Sequence, residues 1–145
     1  MRLVLDTNIV VAALLWAGRP RQLLDQAIDD ESLELYSTPV LIDELIHTLQ
    51  YPKFSQRIGL YATTPAALTA QYAALVTLVS PTQVPRVIEQ DADDDHVIAA
   101  AVAARAELIV TGDRRHLLPI GSHQGIAIVT TAEALRRIAA QTSTD

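Results

Sequence analysis

Four short runs of the chain, Arg2 to Leu5, Leu33 to Tyr36, Leu108 to Thr111 and Ile126 to Thr130, are largely apolar. Strands buried on both faces of a parallel sheet have this character. The segments between them carry helical period. Asn8 to Trp16 and Pro20 to Asp29 are two such segments. Thr38 followed by Pro39 reads as an N-cap with proline in the first turn, opening a helix whose stripe is Leu41, Ile42, Leu45, Ile46 and Leu49. Thr64-Pro65 repeats the device before a helix expected to reach about Val79. A connector, Ser80 to Gln90, then leads to the acidic run Asp91-Ala92-Asp93-Asp94-Asp95 and a helix to Arg105. Thr130 or Thr131 caps the last helix, with Glu133 in its first turn and Arg136 and Arg137 later. Strands alternating with helices predict an α/β fold with a mainly parallel sheet covered on both faces, in one domain spanning 1–145.

Composition narrows the chemistry. The 145 residues include no cysteine, which excludes zinc ribbons, iron–sulfur centres, thiol nucleophiles and a disulfide scaffold. The apolar half is dominated by Ala, Leu, Val and Ile, suited to helices packed on a buried sheet. The longest apolar stretches, Ile9 to Ala17 and Val97 to Ala104, are about half the ~20 residues needed to span a bilayer, and the N-terminus has no signal-peptide pattern. A cytoplasmic protein without a membrane partner is expected.

The glycines form neither G-x-G-x-x-G nor a P-loop, and there is no G-x-S-x-G elbow or H-E-x-x-H. Asp91-x-Asp93-x-Asp95 opens like a calcium loop but has His96 where glycine is required and Val102 where glutamate is required. A receiver-domain reading fails for want of a lysine after a late strand. The sole lysine, Lys53, falls in what reads as a mid-chain loop. His47, His116 and His123 have no ligand spacing.

What remains is a set of acids. Asp6 ends the first strand and Asp113 follows the third, so the carboxyl edge of a parallel sheet would make them neighbours. The acidic run opens the next helix, and Glu44 lies in the second turn of the Pro39 helix, all at the same edge. Clustered carboxylates repel, so the set is stable only with raised pKa values or a divalent cation among them. Oxygen ligands select Mg²⁺ or Mn²⁺, one or two ions, the equipment of phosphodiester hydrolysis. Periodicity cannot choose between Glu44 and Asp43, which flank the apolar stripe on opposite sides. Asp6 alone would also serve as a helix cap.

Asp6-Thr7-Asn8, Pro39-x-Leu41-x-x-Glu44-Leu45, Asp95-x-x-Ile98-Ala99-Ala100 and Val110-Thr111-Gly112-Asp113 resemble, in order, the motifs of PIN domain ribonucleases. The resemblance runs from Arg2 to about Ala139 and is strongest to the stand-alone VapC-type toxins of toxin–antitoxin pairs. Ala92 stands where those proteins have proline. The resemblance implies a three-layer α/β/α sandwich with four or five strands, Mg²⁺ or Mn²⁺ dependence, cleavage of single-stranded RNA, a homodimer and a cognate antitoxin partner. It assigns catalysis and metal binding to Asp6, Glu44, Asp95 and Asp113. Asp94, which projects near the centre of the Val97, Ile98, Ala101 and Val102 stripe, and Asp91 are second choices for the third acid. Thr111 is implied to orient the site.

Asn8 is expected to hold the loop after the first strand. Arg114 and Arg115, beside Asp113, are candidates for gripping substrate phosphates, with Arg19, Arg21, Lys53 and Arg57 weaker ones. Trp16 and Tyr51 could stack on bases, with a core or interface role the rival for Trp16. The net charge of −6 argues at first against a polyanionic partner. Seven of the 17 acids belong to the proposed site or its rim, however, and the remainder of the chain is close to neutral. The competing readings are a non-catalytic PIN-like module that binds RNA or protein, and a DNA nuclease or phosphatase using the same acids.

Overall fold

Thr38 and Thr64 start helices as their contexts dictate, each hydroxyl accepting the N–H three residues on, from Leu41 and Ala67, at 3.1 Å, with proline as the next residue. The computed structural model describes residues 1–81 and 92–143. Its elements are β1 (Arg2–Leu5), α1 (Thr7–Leu15), α2 (Arg19–Asp29), β2 (Glu34–Ser37), α3 (Pro39–Leu49), α4 (Pro52–Leu60), α5 (Pro65–Leu75), β3 (Thr77–Leu78), α6 (Ala92–Ala104), β4 (Leu108–Val110), β5 (Ser122–His123), β6 (Ile126–Val129) and α7 (Thr131–Ser143).

The sheet order is β3-β2-β1-β4-β6-β5, parallel throughout except for β5 against β6. Successive residues of each strand face opposite layers. Leu3, Leu5, Leu108 and Val110 join the core built on α1, α2, α5, α7 and the later turns of α3. Val4, Ile109, Ile126 and Ile128 join a second core under α6, whose Val97, Ile98, Ala100 and Ala101 are fully enclosed. This is the expected α/β/α sandwich. The four strands read from the sequence are present, and the sheet gains β3 and β5 at its edges, making six.

Two local expectations change. The helix opened by Pro65 stops at Leu75 instead of reaching Val79, because Val76 turns extended and Thr77 and Leu78 pair with Tyr36 and Ser37. β-branched Val76 and Thr77 favour that conformation. Lys53 is not in a loop but in α4, a helix started by Pro52. Arg57 and Tyr61, within and just after α4, reach back to the carbonyl of Leu15, at 2.7 and 2.9 Å, supplying donors at the C-terminal end of α1. α6 ends in a Schellman motif: Arg105 is left-handed at φ 53°, and Ala106 N–H donates to the Ala101 carbonyl at 2.9 Å. No helix among the described residues is long and apolar enough to cross a membrane.

β1 and β4 are adjacent, yet the chain leaves them in opposite directions, β1 toward β2 and β4 toward β6. Their carboxyl ends form the switch point of the sheet, where a crevice opens. α6 enters β4 at its amino end, so the N-terminus of α6 lies at the same edge as that crevice.

Candidate active site at the β1–β4 switch point

Asp6 makes the last ladder contact of β1, its N–H donating to the Val110 carbonyl at 2.9 Å, and then caps α1. Its Oδ1 accepts the Thr7 N–H at 2.8 Å, and its Oδ2 accepts the Thr111 hydroxyl at 2.7 Å. Both residues are buried, Thr111 completely. The Thr111 oxygen in turn accepts the Asp113 N–H at 3.0 Å. One threonine thus ties the ends of two strands 105 positions apart in sequence. The cap and the site readings of Asp6 are therefore compatible.

Asp113 organises the turn that follows. Its Oδ1 accepts the N–H groups of Arg115 and His116, at 2.9 and 3.1 Å, and its Oδ2 that of Leu117 at 3.3 Å. Partial burial pushes its pKa up. The Arg115 amide, a hydrogen bond with the Asp94 carboxyl and the amides of His116 and Leu117 together outweigh burial, holding Asp113 below the usual carboxylate range.

This turn swings His116 toward the acids. Its Nδ1 lies 3.7 Å from Asp94 Oδ2 and 3.8 Å from Asp113 Oδ2. Asp94, Asp113 and His116 present ligand atoms all within 4.8 Å of one another, the one such trio among the described residues. Two carboxylates and an imidazole are a donor set for a divalent ion, the carboxylates suiting Mg²⁺ or Mn²⁺ and the imidazole admitting softer transition metals as well. The placement of His116 was not foreseen from spacing. The available signal was Asp113-x-x-His116 directly after a strand, where an Asp that bonds the next amides curls the chain back on itself.

The first turn of α6 holds the acidic run, and there Asp95 is fully enclosed and Asp94 nearly so. The positive end of the helix dipole favours negative charge at these positions. Asp94, the second choice for the third acid, joins the trio, whereas Asp95, the residue the motif selects, does not. Asp91 lies outside the described residues. On α3, Asp43 is exposed and pairs with His47 at 3.6 Å, while Glu44 is half-buried, so burial separates the two acids that periodicity left level. Glu44 is outside the trio. Asn8 is exposed and its side chain makes no hydrogen bond among the described residues; the loop it was expected to hold is held by Asp6 instead. Arg114 and Arg115 are both exposed.

Comparison with known proteins agrees with this architecture. An uncharacterized protein of Methanocaldococcus jannaschii is 29% identical over 115 residues, spanning 79% of this chain and 72% of that one. Two solved structures are similar at a TM-score of 0.62 each. One is VapBC2 from Rickettsia felis bound to a DNA fragment from its promoter, 14% identical, covering 90% of this chain and 98% of the other. The second is PAE2754 from Pyrobaculum aerophilum, 17% identical, covering 96% and 89%. At these identities the likeness is one of fold. The sequence pattern that defines the PIN domain matches residues 2–115, and the chain belongs to the PIN domain family.

Proposed function

We propose that this protein is a divalent-metal-dependent endoribonuclease that cleaves single-stranded RNA, and that it is the toxin of a VapC-type toxin–antitoxin pair. The observation that carries the reading is the hydrogen-bonded series Asp6–Thr111–Asp113 at the switch point, with Asp94 and His116 beside it. Asp94, Asp113 and His116 would hold the ion, with Asp6, Glu44 and Asp95 completing the acidic set. When bound, Mg²⁺ or Mn²⁺ supplies Lewis acidity toward the phosphodiester oxygens and makes water a stronger acid.

The chain's own groups do the rest. Thr111 fixes the Asp6 carboxylate relative to Asp113, and three turn amides hold Asp113 ionised. Asp6 or Asp95 accepts the proton of the attacking water as general base. The dipole of α6 offsets part of the repulsion among Asp94 and its neighbours.

A protein partner, either an antitoxin or a second copy in a homodimer, fits an apolar patch on the other side of α1. Trp16, Tyr51, Leu60 and Tyr61 are 41%, 51%, 71% and 50% exposed. Arg57 lies over the Trp16 and Tyr61 rings at 5.6 and 5.2 Å, and Phe54 meets Trp16 edge-on at 6.0 Å. Aromatic side chains interleaved with arginine are enriched at protein interfaces. Trp16 is half-exposed, which speaks against a core position for it. The structural similarity to VapBC2 of Rickettsia felis supports the toxin assignment.

The test is cleavage of a single-stranded RNA panel with Mg²⁺ or Mn²⁺. Activity lost in EDTA and in Asp6→Asn supports the reading. Wild-type protein that leaves every RNA intact with both metals overturns it, and cleavage confined to DNA or to phosphomonoesters transfers the site to another substrate.

A further inference from the structure

A second concavity opens on the other side of Thr111, and its character is opposite to that of the carboxylate cluster. About 310 Å³ lies between the start of α2, the turn after β4 and the start of α7, bordered by Arg19, Thr111, Gly112, Arg114, Thr130 and Thr131. No carboxylate lines it, although the chain as a whole carries a net charge of −6. Arg19 and Arg114 make no side-chain hydrogen bond or ion pair among the described residues. Arg21, Arg136 and Arg137 by contrast all bond carboxylates of their own helices.

The polar lining points the same way. Thr131 is 8% exposed, and its hydroxyl makes no hydrogen bond among the described residues. With no partner among the described residues, that hydroxyl is available to a polar group entering the cavity that Thr131 lines. Thr131 and Ala132 also open α7, where the first amides have no acceptor within the helix. Thr130 caps only the Glu133 N–H, at 3.2 Å. Across the cavity, α2 begins at Gly18 without a side-chain cap. Two helix dipoles therefore present their positive ends to one space.

We infer that this cavity is a phosphate subsite, in which Arg19, Arg114, the Thr131 hydroxyl and the first amides of α7 hold a non-scissile phosphodiester of the RNA strand. The inference rests on the nuclease reading for the identity of the ligand, but its chemistry is that of any phosphate. Thr111 is the shared wall: its hydroxyl serves the acids, and its other side borders the cations. A strand gripped here has its neighbouring phosphodiester directed toward Asp6 and Asp113. Arg114, next to Asp113, is thereby distinguished from Arg115, which does not line the cavity.

Two measurements test this. The first is titration of the protein in EDTA with inorganic phosphate, followed by amide NMR: Thr131, Ala132 and Gly112 shift and saturate, and Arg19→Ala and Arg114→Ala each weaken the binding severalfold. The second is the salt dependence of oligouridylate binding in EDTA, where each of these substitutions lowers the slope of log affinity against log salt by about 0.7, the single-strand value for one phosphate contact. Arg105→Ala, which removes the same charge at the opposite edge of the sheet, leaves both readouts at wild-type values. All three positions are surface side chains, so each variant folds.

Unchanged phosphate shifts and salt slope in Arg19→Ala and Arg114→Ala overturn the subsite, even if wild-type protein cleaves RNA. Phosphate shifts that vanish in those variants, in a protein that cleaves no RNA, sustain the subsite while the nuclease reading fails.

Discussion

Thr111 invites the most direct test of the site's construction, because its hydroxyl and its methyl group make opposite demands. Replacing it with valine keeps the volume and removes the oxygen. The Asp6 carboxylate then loses a charge-assisted bond of 2.7 Å and the Asp113 N–H loses its acceptor at 3.0 Å, both in a fully enclosed position. One such bond to a charged group and one neutral bond together contribute about 3 kcal/mol. Replacing it with serine keeps both bonds and deletes a buried methyl, at a cost of about 1 kcal/mol. For a chain of this length, the midpoint of thermal unfolding should fall by about 6–12 °C in Thr111→Val and about 2–4 °C in Thr111→Ser. The assay is calorimetry or urea unfolding in EDTA, since an ion bound to the folded state would add its own stabilisation. Cleavage should follow the same order, with Thr111→Val losing about 100-fold in kcat/KM if the two carboxylates drift apart by an ångström. A valine variant as stable as the serine variant, or more so, refutes the hydrogen-bonded bridge, because packing alone ranks them the other way.

Three further outcomes follow from features outside the site. The Tyr72 hydroxyl is enclosed without a hydrogen-bond partner among the described residues, and burial pushes the phenol's pKa well up, so Tyr72→Phe should leave stability unchanged or raise it by about 1 kcal/mol in urea unfolding; a clear loss would reveal a partner. Hydrogen bonds from Arg136 and then Arg137 pull the Glu133 carboxyl down to about 2 from 4.5. A depressed folded pKa means that its contribution to stability is complete above the unfolded value and is lost as pH falls through about 2; carbon-detected NMR should find that midpoint, and Arg136→Ala should move it toward 4.5. Arg105 holds a left-handed conformation that glycine adopts freely, so Arg105→Gly should stabilise the fold by up to about 1 kcal/mol, and a loss in thermal unfolding would argue against the Schellman ending of α6.

How much of this was legible depended on how many residues each feature used. β1, β4 and β6 stood out because three or four successive apolar side chains serve two cores at once, and β2 because Leu35 and Tyr36 do so after Glu34. β3 and β5 have two residues each, and no period can be read from two positions. α4 escaped because only Ile58 is buried along its length; its role is to deliver Arg57 and Tyr61 to Leu15. In the site, Asp6 and Asp113 could be paired because sheet topology alone makes neighbours of strand ends. Asp94 and Asp95 could not be ranked that way. They sit 100° apart on one helical turn, and which of them meets Asp113 depends on how α6 is rotated on the sheet. His116 depended on the curl of a loop, for which the sequence offers only the Asp that nucleates it.

That rotation and height of α6 are set from beneath. Ala100 and Ala101, both completely enclosed, bring the helix close to Val4 and Ile109, and the same rigid rod carries Asp94 at its other end. The alanines therefore act as shims under a lever. A larger residue at either position would tilt the rod and move the acid without altering a single charged group. Catalytic competence in this protein can thus drift, or be engineered, through residues that never meet substrate.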